Sequence, residues 1–205
     1  MFTYPVSFLK AFCAPLQNTN VTWPSSAGTS EQDIIPLDPF YNYYFAAFLL
    51  TPAELGSAKQ ITNIQIQVGS SYNISKANTT VRVYHTSETV MPTNANLDTN
   101  LKTTLNGTDE VVVLNNGTFT ISGSEPDYIS PFTWAENFCY NGNDSLVYQV
   151  ECKTGSYTAS TNTWQGTVFN SPNNNRSCYG YSDESWAEVT NVTRSSFRPN
   201  VKIYY

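Results

Sequence analysis

The feature that most constrains this chain is a recurring alternation of apolar and polar residues with a period of two. Ile64, Ile66 and Val68 alternate with glutamines, and such alternation is typical of a β-strand with one face in the core and one in water. Short segments of this kind, separated by turn residues, predict an all-β fold: an antiparallel, jelly-roll-like β-sandwich. The same alternation recurs at residues 81–84, 146–152 and 201–203.

Asparagine–glycine pairs supply the predicted turns, because they tolerate the positive φ angles that tight hairpins require. Asn115-Asn116-Gly117 lies between β-branched segments at 111–114 and 119–121, so we expect a hairpin there. Further turns are predicted at 106–107 and 141–142.

A single short helical turn is predicted between two strands. Thr51 fits the N-cap, Pro52 the first helical position and Glu54 the third, while Gly56 ends the turn. We expect this turn to close one end of the sandwich and to carry no chemistry.

The N-terminal region differs from the rest of the chain. Residues 15–33 are polar and rich in turn formers, so we predict an arm and linker over 1–33 and a sandwich domain over 34–205. An extended arm can pair with the sheet edge of a neighbouring molecule, and we expect this arm to anchor the protein in an assembly. Its apolar face consists of Phe2, Tyr4, Val6 and Phe8.

Charge excludes two classes of partner. Ten basic residues against sixteen acidic ones give a net charge of −6, so the chain lacks the basic surface that nucleic acid and anionic lipid require. We therefore expect neither a nucleic acid nor a membrane as partner. Lys10 falls where the apolar part of a signal peptide would continue, and no signal peptide is expected.

The cysteines and the single histidine offer little chemistry. The four cysteines show no CxxC spacing, which argues against zinc; Cys139 and Cys152 either form a disulfide or are buried thiols.

Any Ser-His-Asp mechanism would have to use His85, and the acidic pairs are adjacent in sequence rather than placed across a cleft. We therefore expect no enzymatic activity, no metal and no cofactor. Arg198 is expected to be a structural ion-pair partner.

Aromatic residues in polar segments between 153 and 187 are the candidate binding residues. Their rings could stack on a sugar, form a protein interface, or fill the core of the sandwich. The candidates are Tyr157, Trp164, Tyr179, Tyr181 and Trp186.

The order of several motifs resembles a known module. Tyr41-Asn-Tyr-Tyr44, Thr51–Gly56, an Ile-Thr-x-Ile strand from Ile61 and Val81–Thr86 follow one another. In this order they are similar to the jelly-roll domains of Bacteroidetes surface adhesins and proteases, of the cleaved-adhesin or haemagglutinin type. The resemblance runs from about Asp38 to the C-terminus. It implies a binding or accessory module, often associated with carbohydrate, without an active site of its own.

Together these features give two hypotheses for function. The first is a structural or display protein of a virion, such as a capsid decoration, head fibre or tail component of a Bacteroidetes phage, anchored by its arm. Its partners would be copies of itself or capsid and tail neighbours, with a surface glycan as a further ligand. The alternative is a secreted adhesin module that binds carbohydrate at the cell surface.

Overall fold

The computed structural model describes residues 13, 15–69, 72–92, 101–123, 127–157, 164–170, 175–190 and 192–205. These residues form fifteen strands, two short α-helices and one 3₁₀ turn. In chain order they are β1 (Asn20–Trp23), β2 (Ser30–Gln32), β3 (Tyr43–Leu50), α1 (Pro52–Leu55), β4 (Lys59–Ile61), β5 (Asn63–Gln67), β6 (Tyr72–Thr86), α2 (Leu101–Thr104), β7 (Thr108–Gly123), β8 (Tyr128–Ile129), β9 (Phe138–Tyr140), β10 (Ser145–Cys152), β11 (Trp164–Val168), β12 (Ser177–Ser182), the 3₁₀ turn (Trp186–Glu188), β13 (Thr193–Ser195), β14 (Phe197–Pro199) and β15 (Val201–Tyr204).

The largest sheet has six antiparallel strands in the order β13-β12-β3-β10-β6-β7. Its strand β3 is apolar at every position and buried on both faces. Tyr44 and Phe48 point into the main core, whereas Phe45 and Leu49 point to the opposite face. That opposite face is covered in part by α2 and by the segment around the 3₁₀ turn.

A second layer packs against the inner face of the six-stranded sheet. It contains a four-stranded sheet, β1-β15-β5-β8, and a three-stranded sheet, β14-β11-β2. The alternating residues Ile64, Ile66 and Val68 are all buried in the shared core with Phe48 and Tyr148. This confirms the predicted all-β antiparallel sandwich.

The hairpin predicted at Asn115–Gly117 is wrong. β7 runs through both predicted strands and pairs along its length with β6. Asn116 does have a positive φ of 47°, but it lies where the register between the two strands shifts. A residue with positive φ can serve a β-bulge as well as a turn, and here it bends a long strand without ending it.

The polar segment 15–33 contains two strands as well as turns. β1 pairs with β15 and β2 pairs with β11, each at the edge of its sheet. Short polar strands are typical of sheet edges, which explains why their sequence resembles a linker. The arm residues Phe2, Tyr4, Val6 and Phe8 lie outside the described residues, so the assembly role of the arm stays a prediction.

The cysteine pairing differs from the one considered above. Cys139 forms a disulfide with Cys13, whereas Cys152 and Cys178 are buried free thiols. Cys152 lies in β10 between Tyr44 and Thr79 of the flanking strands, so it does not face Cys139. Protein disulfides persist in oxidising surroundings, which include the cell exterior and virion surfaces.

Among the helices of the described chain, none has the length and apolar character to cross a bilayer.

Candidate functional site

Four tyrosines stand in a row at one end of the six-stranded sheet. Tyr179 and Tyr181 project from the same face of β12, because side chains two residues apart on a strand share a face. Tyr44 lies opposite Tyr181 on β3, and Tyr41 precedes that strand. The ring centroids of Tyr41 and Tyr181 are only 3.7 Å apart, while the outer two pairs are each separated by 6.4 Å. Neighbouring ring planes differ by 18° or less.

These rings line a pocket of about 170 Å³. The segment after β2 forms its other wall with Ile34 and two aspartates. The hydroxyl of Tyr44 donates a hydrogen bond to the carbonyl of Ile34 and so ties this segment to β3. We call this site the tyrosine pocket; the described residues that line it are Asp33, Ile34, Asp38, Tyr41, Tyr44, Tyr179 and Tyr181.

Asp38 is the buried carboxylate of the tyrosine pocket, with 5% of its surface exposed. Its Oδ1 accepts a hydrogen bond of 2.9 Å from the amide of Phe40, and none of the described residues hydrogen-bonds its Oδ2. Burial raises the pKa of Asp38 to about 6; the Phe40 amide and the charge of Lys76 oppose this, and the charge of Asp33 adds to it. A titratable group in a concave site with a strongly shifted pKa is a marker of functional sites.

Exposed aromatic side chains form a rim next to the pocket. Phe40, Tyr157 and Tyr181 expose 55%, 65% and 48% of their surface. Phe40 contacts the ring of Tyr41 edge-on and that of Tyr157 at a tilt, so the rim is continuous with the pocket. Contiguous exposed aromatic surface of this kind marks a binding site more often than a chance arrangement.

The five candidate aromatics divide between three locations. Tyr179 and Tyr181 line the pocket, and Tyr157 belongs to its rim. Trp164 is 1% exposed and its Nε1–H donates to the carbonyl of Leu37, so of the three alternatives it takes the core-filling one. Trp186 packs on the opposite face of the sheet, with the ammonium of Lys153 4.2 Å from its ring.

Sequence reasoning missed the half of the pocket that precedes β3. Asp33, Asp38 and Tyr41 come from a segment for which the sequence predicts a domain boundary and the start of a family motif. The available signal was the density of aromatic and acidic residues in Asp38-Pro-Phe-Tyr-Asn-Tyr-Tyr44. Only the pairing of β3 with β12 shows that this segment meets Tyr179 and Tyr181.

A second cluster of charge and aromatic rings lies elsewhere in the sandwich. The guanidinium of Arg198 is 3.7 Å from the ring centre of Trp23 and 4.4 Å from that of Phe169. It donates to both oxygens of Glu54, at 3.2 and 2.9 Å, and Arg176 reaches the same carboxylate at 2.7 Å. These five residues are called the Arg198 cluster. The structural ion pair predicted for Arg198 is confirmed.

Glu54 belongs both to this cluster and to the predicted helical turn. Its Oε2 accepts the amide hydrogen of Thr51 at 2.8 Å, which is half of the predicted capping box, and Gly56 ends the turn with a φ of 75°. Burial raises the pKa of Glu54, but hydrogen bonding and charge from Arg198, with Thr51 and Arg176, outweigh it and leave the pKa below its ordinary value.

His85 is buried against the rings of Phe138 and Tyr140. Its Nε2 accepts the amide hydrogen of Asn141 at 3.1 Å, and its Nδ1 lies 3.4 Å from Asp109. Burial lowers the pKa of His85, with Asp109 acting against that effect, so the ring is neutral near pH 7 and fixes the turn at Asn141. The absence of catalysis stays a prediction. Within the described residues no three His, Cys, Asp or Glu side chains are grouped to hold a metal ion.

No protein-family model, curated protein or solved structure matches this chain. The resemblance to the adhesin module therefore stays a prediction, and the site has to be interpreted from its own geometry.

Proposed function

We propose that the protein is a non-catalytic binding module whose tyrosine pocket holds one unit of a surface glycan. The observation that supports this most directly is the joint presence of tyrosine rings and carboxylates around one concave site. Aromatic faces pack on the apolar faces of sugar rings, and carboxylates and tyrosine hydroxyls hydrogen-bond to sugar hydroxyls. The exposed rim would carry the neighbouring sugar units.

The size of the pocket favours a small ligand over a protein partner. Pockets that enclose drug-sized ligands measure roughly 300 to 1,000 Å³, so about 170 Å³ suits a single small group. A protein interface would bury a wider surface, on the order of 800 Å² on each partner, and would have no need of a buried carboxylate such as Asp38. The protein-interface interpretation of these aromatics is therefore the weaker one.

The virion hypothesis and the adhesin hypothesis differ in where the module is displayed. The first depends on the arm, which lies outside the described residues, and it stays a prediction. A glycan-binding pocket serves either setting, and the Cys13–Cys139 disulfide is compatible with both.

A glycan microarray tests the proposal. We expect the labelled protein to bind a defined subset of glycans, and the Tyr181→Ala variant to lose that binding. The control is Tyr128→Ala, which removes a partly buried tyrosine from β8 in the other layer and should bind as the unchanged protein does. Absence of binding to any glycan, or equal binding by the Tyr181→Ala variant, would contradict the proposal.

A further inference from the structure

The described lining of the tyrosine pocket is aromatic and acidic. Of the seven described residues that line it, two are aspartates, four are tyrosines, and none is basic. The charge of Lys76 acts on Asp38 and lowers its pKa. Lys76 itself is 1% exposed, and its ammonium donates to the carbonyls of Ser156 at 2.5 Å and Tyr41 at 3.4 Å. Among the described residues, no cationic side chain forms an ion pair with Asp38 or Asp33 within 4 Å. Lys76 therefore compensates Asp38 only in part and without an ion pair, and its ammonium is bonded to two carbonyls.

The Arg198 cluster contains the same two components, aromatic rings and a carboxylate, together with a cation that contacts both. There, a cation lies against two aromatic rings and donates to a carboxylate. Rings attract a cation through their negative faces, and a carboxylate compensates its charge. The tyrosine pocket has the rings and the carboxylates, but among the described residues no cation is ion-paired with those carboxylates.

We propose that the group bound in the tyrosine pocket is a protonated amine, and that the ligand is an amino sugar with a free amino group. This inference rests on the proposed function and adds the ligand class to it. An organic ammonium can contact tyrosine faces and a carboxylate at once. A metal ion such as Ca²⁺ would instead need six to eight oxygen ligands, which four aromatic side chains do not supply. An acetylated amine is neutral and has no charge to pair with Asp38.

Calorimetric titration with two matched oligosaccharides tests the inference. The probes are glucosamine oligomers and N-acetylglucosamine oligomers of equal length, at pH 7. At this pH Asp38 is mostly ionised, since its pKa is about 6, and a carboxylate beside a bound amine favours the protonated form of that amine. We expect the free-amine oligomer to bind at least about tenfold more tightly than its acetylated counterpart.

Matched variants separate a specific site from general attraction between an acidic protein and a polycation. Asp38→Asn and Glu136→Gln each change the net charge from −6 to −5, and Glu136 is exposed outside the pocket. Asp38→Asn should weaken binding of the free-amine oligomer by at least about tenfold, whereas Glu136→Gln should leave it unchanged. If Asp38→Asn does not fold, the exposed residue Asp33 gives a second variant, Asp33→Asn, with the same expected direction.

Each other outcome has a distinct meaning. Equal binding of both oligomers, unaffected by Asp38→Asn, overturns the amine inference and leaves the glycan-binding proposal standing. Displacement of the free-amine oligomer by millimolar Ca²⁺ would assign the pocket to a metal ion and would also overturn the inference. Failure of both oligomers, with no binding on the glycan array, would overturn inference and proposed function together.

Discussion

Glu54 and Asp38 are two carboxylates that lie among aromatic rings, yet their pKa values move in opposite directions. The pKa of Glu54 lies below its ordinary value because Arg198 and Arg176 outweigh the effect of burial. The pKa of Asp38 rises to about 6 because the effect of burial outweighs both the Phe40 amide and the charge of Lys76. Both carboxylates lie among aromatic rings, but guanidinium groups compensate the charge of Glu54, whereas the charge of Asp38 is compensated only in part.

The difference separates a structural cluster from a binding site. In the Arg198 cluster the one carboxylate, Glu54, pairs with two guanidinium groups of the chain, so its charge is compensated and its role is to stabilise the fold. The partly compensated carboxylate of the pocket costs folding free energy, and such costs are characteristic of functional sites. If this distinction is right, removing a carboxylate should weaken the fold at the first location and strengthen it at the second.

The largest expected effect is at the Arg198 cluster. Glu54→Gln keeps a side chain suited to the capping box but leaves Arg198, which is 1% exposed, without its carboxylate. Breaking a buried ion pair by removing one partner costs about 3 to 5 kcal/mol. For a chain of this length that is a fall in Tm of roughly 10 °C, measurable by calorimetry.

The exposed variant Glu136→Gln is the control and should melt within about 1 to 2 °C of the unchanged protein. The difference between Glu54→Gln and the unchanged protein should also shrink at acid pH. A lowered pKa gives stability that is present above the ordinary pKa of Glu54, 4.5, and is lost as the pH falls through the pKa in the folded state. A Glu54→Gln variant as stable as the control would refute the structural role of the cluster.

The sandwich itself was predictable because burial imposes a period of two on half-exposed strands. Ile64, Ile66 and Val68 carry that pattern and lie in the core. The turn at Thr51–Gly56 was predictable because helix caps depend on local hydrogen bonds. The interpretation of Asn116 failed for the opposite reason: a positive φ is a local property, but whether it makes a turn or a bulge depends on the partner strand.

The pocket was predictable only in part, because strand pairing brings its two halves together and the local sequence does not show that pairing. Tyr179 and Tyr181 stand out within one short segment, so composition identifies them. Asp38 and Tyr41 lie some 140 residues away in sequence, and they meet β12 only because β3 pairs with it. Trp164 shows the converse error, because a tryptophan beside a polar segment can still be fully buried.

The second prediction is that removing the carboxylate of Asp38 stabilises the fold, whereas removing that of Glu54 destabilises it. Asp38→Asn keeps an oxygen that can accept the Phe40 amide hydrogen and removes the partly compensated charge. A rise in pKa from 3.8 to about 6 corresponds to at most about 3 kcal/mol, and solvent at the pocket mouth reduces it. We therefore expect the free energy of unfolding in urea at pH 8 to increase by about 1 to 3 kcal/mol.

The pH dependence of this gain follows from the sign of the shift. Between about pH 4 and pH 6 the unfolded chain releases the Asp38 proton before the folded chain does, so the unchanged protein loses stability as the pH rises. The advantage of Asp38→Asn should be absent near pH 3.5 and complete above about pH 7. A variant less stable than the unchanged protein at pH 8 would show that groups of the chain already compensate the charge of the Asp38 carboxylate.

The charged and titratable groups that act on Asp38 or share its pocket are Asp33, Lys76, Tyr41, Tyr44, Tyr179 and Tyr181.

The smallest expected effect on stability is at the pocket tyrosine with the most exposed surface. Tyr181 is 48% exposed and its main aromatic contact is the ring of Tyr41, and such a pair contributes about 0.5 to 1.5 kcal/mol. Tyr181→Ala should therefore reduce the free energy of unfolding in urea by no more than about that amount, while binding of the glycan is lost. A small cost in folding with a large cost in binding distinguishes a ligand contact from a core residue. A loss above about 3 kcal/mol, the range expected for a buried aromatic side chain, would instead place Tyr181 with Trp164 as part of the core.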